Sequence, residues 1–432
     1  MNGKAKTYKM SMNFSYLVVG LIIFYIVLLV KSKTVADFSV DPLLYSYAMF
    51  VIIFLLFRIG GAVLYRGTYL KVLDHEDVGL LYPHVTFIIP CKNEEKDIHK
   101  TVSKCFDAEY PKELIEVIVI NDGSTDRTCE ILKKLKEEKF PNLNIIDWKE
   151  NRGKREAMVA GFRLAKGSIV IQLDSDSYIE PSSFKKLIAP FANRQIAAVC
   201  AHADPENADY NFITKMQAAY YFVSFRIMKA AESSFYTVFC CSGCSSAYRK
   251  SAVMPVLDNW LNESFLGKKV TYGDDRALTS WLLKSGHKTV YSEDVQAYTI
   301  VPEKFRQLLT QQLRWKKSWI INSIFTSSFI FKKQPFVAVF YFYPLVLISY
   351  LAPLMGLHSL IYIPIRNSVT PFFYIFGIFI ITAMVIFMAK MYSGSRKYLG
   401  YFFVWQGLNM VLFLYIIFYA AIRINDRGWG TR

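Results

Sequence analysis

Two aspartates stand two residues apart in Asp174-Ser175-Asp176, directly after the apolar run Ile169 to Leu173. Carboxylates so spaced at the end of a strand can act together on one hard cation. Mg²⁺ and Mn²⁺ both take such oxygen ligands and bridge to diphosphates, and the sequence does not distinguish them. The triplet also serves as a helix cap or a turn; its place after a buried strand favours metal. A second acidic pair lies in Gly273-Asp274-Asp275-Arg276. Asp275 or Asp274 could remove the proton of an attacking hydroxyl, and a surface acidic turn is the plain alternative.

Three further clusters are polar and compact. In Asn121-Asp122-Gly123-Ser124, Gly123 permits a tight turn and Asp122 can accept hydrogen bonds from a base or ribose. Ser124, Thr125 or Asp126 could equally cap the next helix. Asn151-Arg152-Gly153-Lys154-Arg155-Glu156 is a basic loop entering a helix, a natural phosphate site or a solvated charge cluster. Gln311-Gln312-Leu313-Arg314-Trp315 is followed by Lys316, Lys317 and Trp319. Its cations can stabilise a departing diphosphate, and its Trp offers a flat face to a sugar ring. The segment also reads as an amphipathic helix on a membrane surface.

The elements that must position these groups follow from periodicity. Val85 to Pro90, Val117 to Ile120 and Ile169 to Leu173 are short continuous apolar runs, suited to strands buried on both faces. Helical segments such as Glu95 to Asp107 and Arg127 to Lys139 lie between them. The alternation predicts an α/β fold with a mostly parallel sheet. Ligands of such sheets bind at the carboxyl ends of the strands, where the polar clusters fall.

The chain has 432 residues, 53% hydrophobic and 20% charged, with the apolar excess near both ends. Runs at 13–31 and 43–65 are each long enough to cross a bilayer and form a hairpin. Lys4, Lys6 and Lys9 before it, and Arg66 and Lys71 after it, set both outer ends in the cytoplasm. Runs at 336–363 and 371–389 make two more crossings. The fifth, 398–422, has Lys390, Arg396 and Lys397 before it and Arg423, Arg427 and Arg432 after it. Positive charge at both ends predicts an interfacial or re-entrant segment rather than a crossing. The net charge of +16 is assigned to the cytoplasmic loops of a membrane protein rather than to nucleic acid binding. Seven cysteines, an odd count concentrated in the middle, predict reduced thiols facing the cytosol.

Taken in order, these residues resemble the processive family-2 glycosyltransferases. The resemblance runs over about 85–320, from Pro90, Asn93 and Glu94 through Asp122, Asp174 with Asp176, and Gly273 to Arg276, to Gln311, Arg314 and Trp315. One such motif is weak; the ordered set is specific. Within the group the chain is most similar to hyaluronan synthases, through Asn151 to Glu156, Phe265-Leu266-Gly267, Tyr272 to Arg276 with Leu278 and Thr279, and the ending Trp429-Gly430-Thr431-Arg432. Synthases of glucose and glucuronate capsules are also similar, and chitin-oligosaccharide synthases more distantly.

The resemblance implies a GT-A nucleotide-sugar-binding domain at 71–302 behind an N-terminal hairpin at 1–70. Interfacial helices at 303–335 and membrane segments with a gating loop at 336–432 would follow. It implies a plasma-membrane enzyme, its catalytic domain cytoplasmic, polymerising UDP-sugars into an extracellular polysaccharide. Pro90, Asn93 and Glu94 would contact the donor and Asp122 its uracil; Lys154 and Arg155 would lie near the donor phosphates, and Asp174 would hold the nucleotide and, with Asp176, the metal. Asp275 would be the base, beside Asp274 and Arg276. Gln311, Arg314 and Trp315 would frame the acceptor and the leaving diphosphate, and Trp429, Thr431 and Arg432 would close over the nucleotide. Gly243-Cys244-Ser245 would line the acceptor region; hyaluronan synthases usually carry Gly-Pro-Leu there, so the departure bears on the identity of the sugars. A non-catalytic sensor or transporter would lack the carboxylates, and all four are present.

Overall fold

In the computed structural model, the described residues are 41–73, 82–367, 372–392 and 397–426. The apolar run at 13–31 and the residues Trp429, Thr431 and Arg432 lie outside them.

Among the described residues, strands β1 (Val85–Cys91), β2 (Ile115–Asp122), β3 (Leu143–Trp148), β4 (Ile169–Gln172), β5 (Ser177–Ile179), β6 (Ile196–Pro205), β7 (Ser246–Arg249) and β10 (Lys288–Thr299) form one sheet; β8 (Ser264–Phe265) and β9 (Lys268–Lys269) form a small ribbon. The order is β3-β2-β1-β4-β7-β6-β10-β5. Strands β3, β2, β1 and β4 are parallel, with Val85 opposite both Ile115 and Ile169. Strand β7 runs antiparallel between β4 and β6, and β10 lies parallel to β6. β1 is buried along its length, as its unbroken apolar pattern requires. Because β7 is reversed, its entry, Gly243 to Ser245, meets the carboxyl end of β4.

The helices that matter for the site are α1 (Pro42–Leu73), α2 (Ile98–Asp107), α3 (Thr128–Glu138), α4 (Lys154–Leu164), α5 (Phe212–Val223), α6 (Asp274–Lys284) and α7 (Phe305–Ser327). Then come α8 (Pro335–Arg366), α9 (Phe372–Tyr392) and the pair α10 (Leu399–Phe413) and α11 (Ile416–Ile422). Pro42–Tyr65 of α1 and the whole of α8 are long and apolar enough to cross a membrane. Within α9, Tyr374–Lys390 is apolar but shorter. α10 and α11 are bent by 43°. The cause is local: the turn Asn409–Phe413 is π-helical, and Leu414 N–H donates to Asn409 O, five residues back. This is the segment expected to be interfacial or re-entrant.

α1 is fastened to the sheet domain. Tyr65 Oη donates to Tyr291 O at 2.8 Å, and Ser234 Oγ donates to Gly61 O at 2.6 Å. A Cβ on Gly61 would lie 3.3 Å from that of Ala231, so small residues let the two backbones approach. α7 packs under α6 just as closely. Gly273 caps α6 with φ of 75°, and a Cβ there would sit 2.1 Å from Ser318 Oγ. The acidic pair is thereby set against the helix that bears Gln311 to Trp315.

Candidate functional site

A cavity of about 1090 Å³ opens at the carboxyl ends of β1 and β4 and continues to α1, α8 and α10. Asn93 and Glu94 line one end, Asp174, Asp176 and Asp275 the middle, and Arg58, Ser349 and Asn409 the other.

At the first end, the loops after β1 and β2 are clipped together. Asn93, with φ of 56°, donates its N–H to Ser124 Oγ at 2.9 Å, and its Oδ1 accepts from Thr125 N–H at 2.8 Å. Asp126 Oδ1 accepts from Thr128 N–H at 3.0 Å, at the start of α3. Pro90, expected among the donor contacts, lies buried within β1 and opposite Ile120. Asp122 is also buried. Its two carboxylate oxygens accept from the N–H groups of Arg152 and Gly153, at 2.6 and 2.9 Å. Through these bonds the carboxylate fixes the loop that delivers Lys154.

The basic loop divides its three cations. Lys154 enters the cavity and pairs with Asp174 Oδ1. Burial alone would lower its ammonium; Asp174, with Asp274 and Asp275 behind it, outweighs that and holds it above the ordinary lysine value. Arg152 stacks over the Trp148 ring at 4.7 Å. Arg155 turns inward, against the expectation that it lies near phosphates. Its guanidinium donates to Asp274 Oδ1 at 2.8 Å and Glu263 Oε2 at 3.0 Å, and to the carbonyls of Trp260 and Tyr272. These side chains are all at most 8% exposed, so Arg155 is a buried staple between α4 and the start of α6.

That staple also separates the two acids. Both reach the cavity wall, but the Asp274 carboxylate is held by Arg155. Asp275 Oδ2 accepts from Gly243 N–H at 3.1 Å, and Oδ1 from its neighbour Arg276 N–H at 3.0 Å. Cys240 lies 3.8 Å from Oδ2. Burial, with Asp275 adding, pushes that thiol up to about 12, so it stays protonated beside the carboxylate. Gly243 O accepts from Asp174 N–H at 3.1 Å, which ties the two acidic centres through one residue. Gly243 and Cys244 reach the cavity wall, while Ser245 is fully buried behind it.

Asp174 and Asp176 both line the cavity. Among the described residues no group of three or more His, Cys, Asp or Glu is arranged to hold a metal by itself. Two carboxylates suit a Mg²⁺-like ion that takes its other ligands from water and a substrate diphosphate. Gln311, Arg314 and Trp315 of α7 form the opposite wall. Trp315 lies 6.4 Å from Tyr220, which stacks on Trp405 at 4.1 Å, so an aromatic shelf leads toward α10. Arg276 stacks over Trp319 at 5.1 Å.

Residues 86–257 match the glycosyl transferase family 2. An N-acetylglucosaminyltransferase of Rhizobium meliloti (strain 1021) is 30% identical over 356 residues, 81% of this chain and 82% of the relative. The chain belongs to glycosyltransferase family 2. A hyaluronan synthase of Streptococcus pyogenes is 28% identical over 395 residues, 89% of this chain and 90% of the relative. Among solved structures, a mannosyltransferase of Pyrobaculum calidifontis in complex with GDP-Man and Mn²⁺ is similar in fold. Its TM-score is 0.51 at 17% identity, over 89% of this chain and all of that one. The GT-A-type architecture expected of this glycosyltransferase is thus the observed one.

Three cavity residues of this transferase were not singled out in the sequence. Arg58 lies in the apolar run of α1, with its guanidinium over the Tyr341 ring at 5.2 Å. Lys229 is buried and donates to Ser242 Oγ at 2.8 Å. Tyr220 lies on α5. An Arg inside an apolar span is a readable signal of a lined pathway. Lys229 and Tyr220 carry no such mark.

Proposed function

We propose that this family-2 glycosyltransferase is a membrane-embedded processive synthase that builds hyaluronan from UDP-GlcNAc and UDP-GlcA and passes it outward. The observation that carries the reading is the continuity of the cavity: one space is lined by Asp275 and by Arg58, Ser349 and Asn409 of the membrane helices. A transferase releasing a small product needs no such extension.

In this reading the acceptor sugar rests on Trp315 with its hydroxyl toward Asp275. Asp275 takes the hydroxyl proton as the oxygen bonds to the donor's anomeric carbon, and the bond to UDP breaks with its electron pair leaving on the diphosphate. Attack opposite an α-linked diphosphate gives a β-linkage. Asp174 and Asp176 would hold Mn²⁺ or Mg²⁺, which when bound supplies positive charge to the diphosphate. Lys154 and Arg314 add their own. Gly243 N–H orients the base, and Asp274 with Arg155 fixes the start of its helix.

A second reading is a polymer or oligosaccharide of N-acetylglucosamine alone. The 30% identity to the Rhizobium enzyme and the unusual Gly243-Cys244-Ser245 favour it. UDP release with the two donors, singly and together, separates the readings.

A further inference from the structure

Lys316 faces the cavity from α7, and among the described residues its ammonium makes no ion pair and no hydrogen bond. Burial alone pushes that ammonium down to about 8, with no carboxylate offsetting it. It lies on the helix that also bears Trp315, where the acceptor sugar rests in the reading above. Two more cavity residues share its stripe. Gln312 precedes it by four positions and Trp319 follows it by three, which places all three on one helix face. Gln312 is 5% exposed, and its Nε2 has no partner; Trp319 Nε1 is likewise buried and unpartnered. Arg276 covers the Trp319 ring.

The stripe thus presents an ammonium, an amide N–H₂ and an indole N–H, all donors and all without an acceptor. Unmet donors under burial are costly, and the half-buried Lys316 ammonium adds a charge that faces the cavity without a counter-ion. A carboxylate, which only accepts and carries the missing charge, answers all three. A neutral hydroxyl answers none of the charge.

From this we infer that Gln312, Lys316 and Trp319 form a subsite for the carboxylate of a uronic acid at the acceptor end of the growing chain. Lys316 is then the residue that makes the acceptor specificity acidic. The inference rests on the glycosyl-transfer reading above.

The test is single transfer by the purified full chain, with UDP-GlcNAc as donor. The acceptors are a disaccharide ending in glucuronate and its neutral methyl ester. In the unaltered protein, esterification is expected to raise the acceptor KM about tenfold or more, the worth of a hydrogen bond to a charged group. Lys316→Gln is expected to remove the difference between acid and ester, and Lys316→Arg to keep most of it. Equal use of acid and ester by the unaltered protein would overturn the subsite, and this comparison needs no variant to fold. A rise in the KM for UDP-GlcNAc in Lys316→Gln, with acid and ester still distinguished, would overturn it too, by moving Lys316 to the diphosphate. No UDP release from UDP-GlcNAc with any acceptor would instead overturn the transfer reading, and the inference with it.

Discussion

Gly243 donates its backbone N–H to Asp275 Oδ2 at 3.1 Å. Its carbonyl accepts from Asp174 N–H at the same distance. One residue without a side chain therefore sets the spacing between the proposed base and the proposed metal site. A Cβ on it would lie 2.9 Å from Gln172 Nε2 and 3.1 Å from Asp174 Oδ1. Gly243→Ala is predicted to fold and to lose about a hundredfold in kcat, since small displacements of reacting groups cost that much. Steady-state UDP release, compared with thermal unfolding, checks it; unchanged kcat would mean that the spacing is not critical.

Asp275→Asn is predicted to lower turnover by roughly 10² to 10⁴ while leaving UDP binding within about twofold. Asp274→Asn tests a different role, because Asp274 is half of a buried ion pair. Its loss should show mainly as a lower Tm. If Asp275→Asn turned over normally, the base would be elsewhere.

Arg155→Met leaves Asp274 and Glu263 buried without their cation. Removing one partner of such a pair costs about 3–5 kcal/mol, and at these exposures solvent does little to screen it. Burial already raises Glu263 above the ordinary carboxylate value despite Arg155. A sharply lower Tm with donor KM little changed in what remains folded is the expected pattern. A normal Tm with a raised donor KM would return Arg155 to the phosphates.

Chelation of divalent ions is predicted to stop UDP release, and Mn²⁺ or Mg²⁺ to restore it. Asp176→Asn should raise the metal concentration needed for half activity by tenfold or more, since each carboxylate is one of few protein ligands. Full activity in excess EDTA would contradict the assignment of Asp174 and Asp176.

Much of this was legible in the sequence, for identifiable reasons. Continuous apolar runs marked β1, β2 and β4, and polar residues directly after β1 and β4 fell where an open sheet binds ligands. What failed was direction. Adjacent residues on a helix differ by about 100° around its axis, so neighbours of like type face different ways. Lys154 enters the cavity while Arg155 turns into the core; Asp275 accepts from Gly243 N–H while Asp274 pairs with the buried Arg155. Sequence spacing pairs these residues, and only packing separates them. The reversed β7 likewise brings Gly243 to the site from a strand whose direction no local pattern announces. The contribution of α1 through Arg58 depends on how a membrane helix docks on a sheet domain, which is a tertiary property.

The most direct test of the central claim is UDP release by the purified protein, offered UDP-GlcNAc and UDP-GlcA singly and together with divalent metal. The account predicts sustained release only from the pair, with a product cut by hyaluronidase. Sustained release from UDP-GlcNAc alone, unaffected by adding UDP-GlcA, would contradict it and mark the enzyme as a maker of a single-sugar polymer.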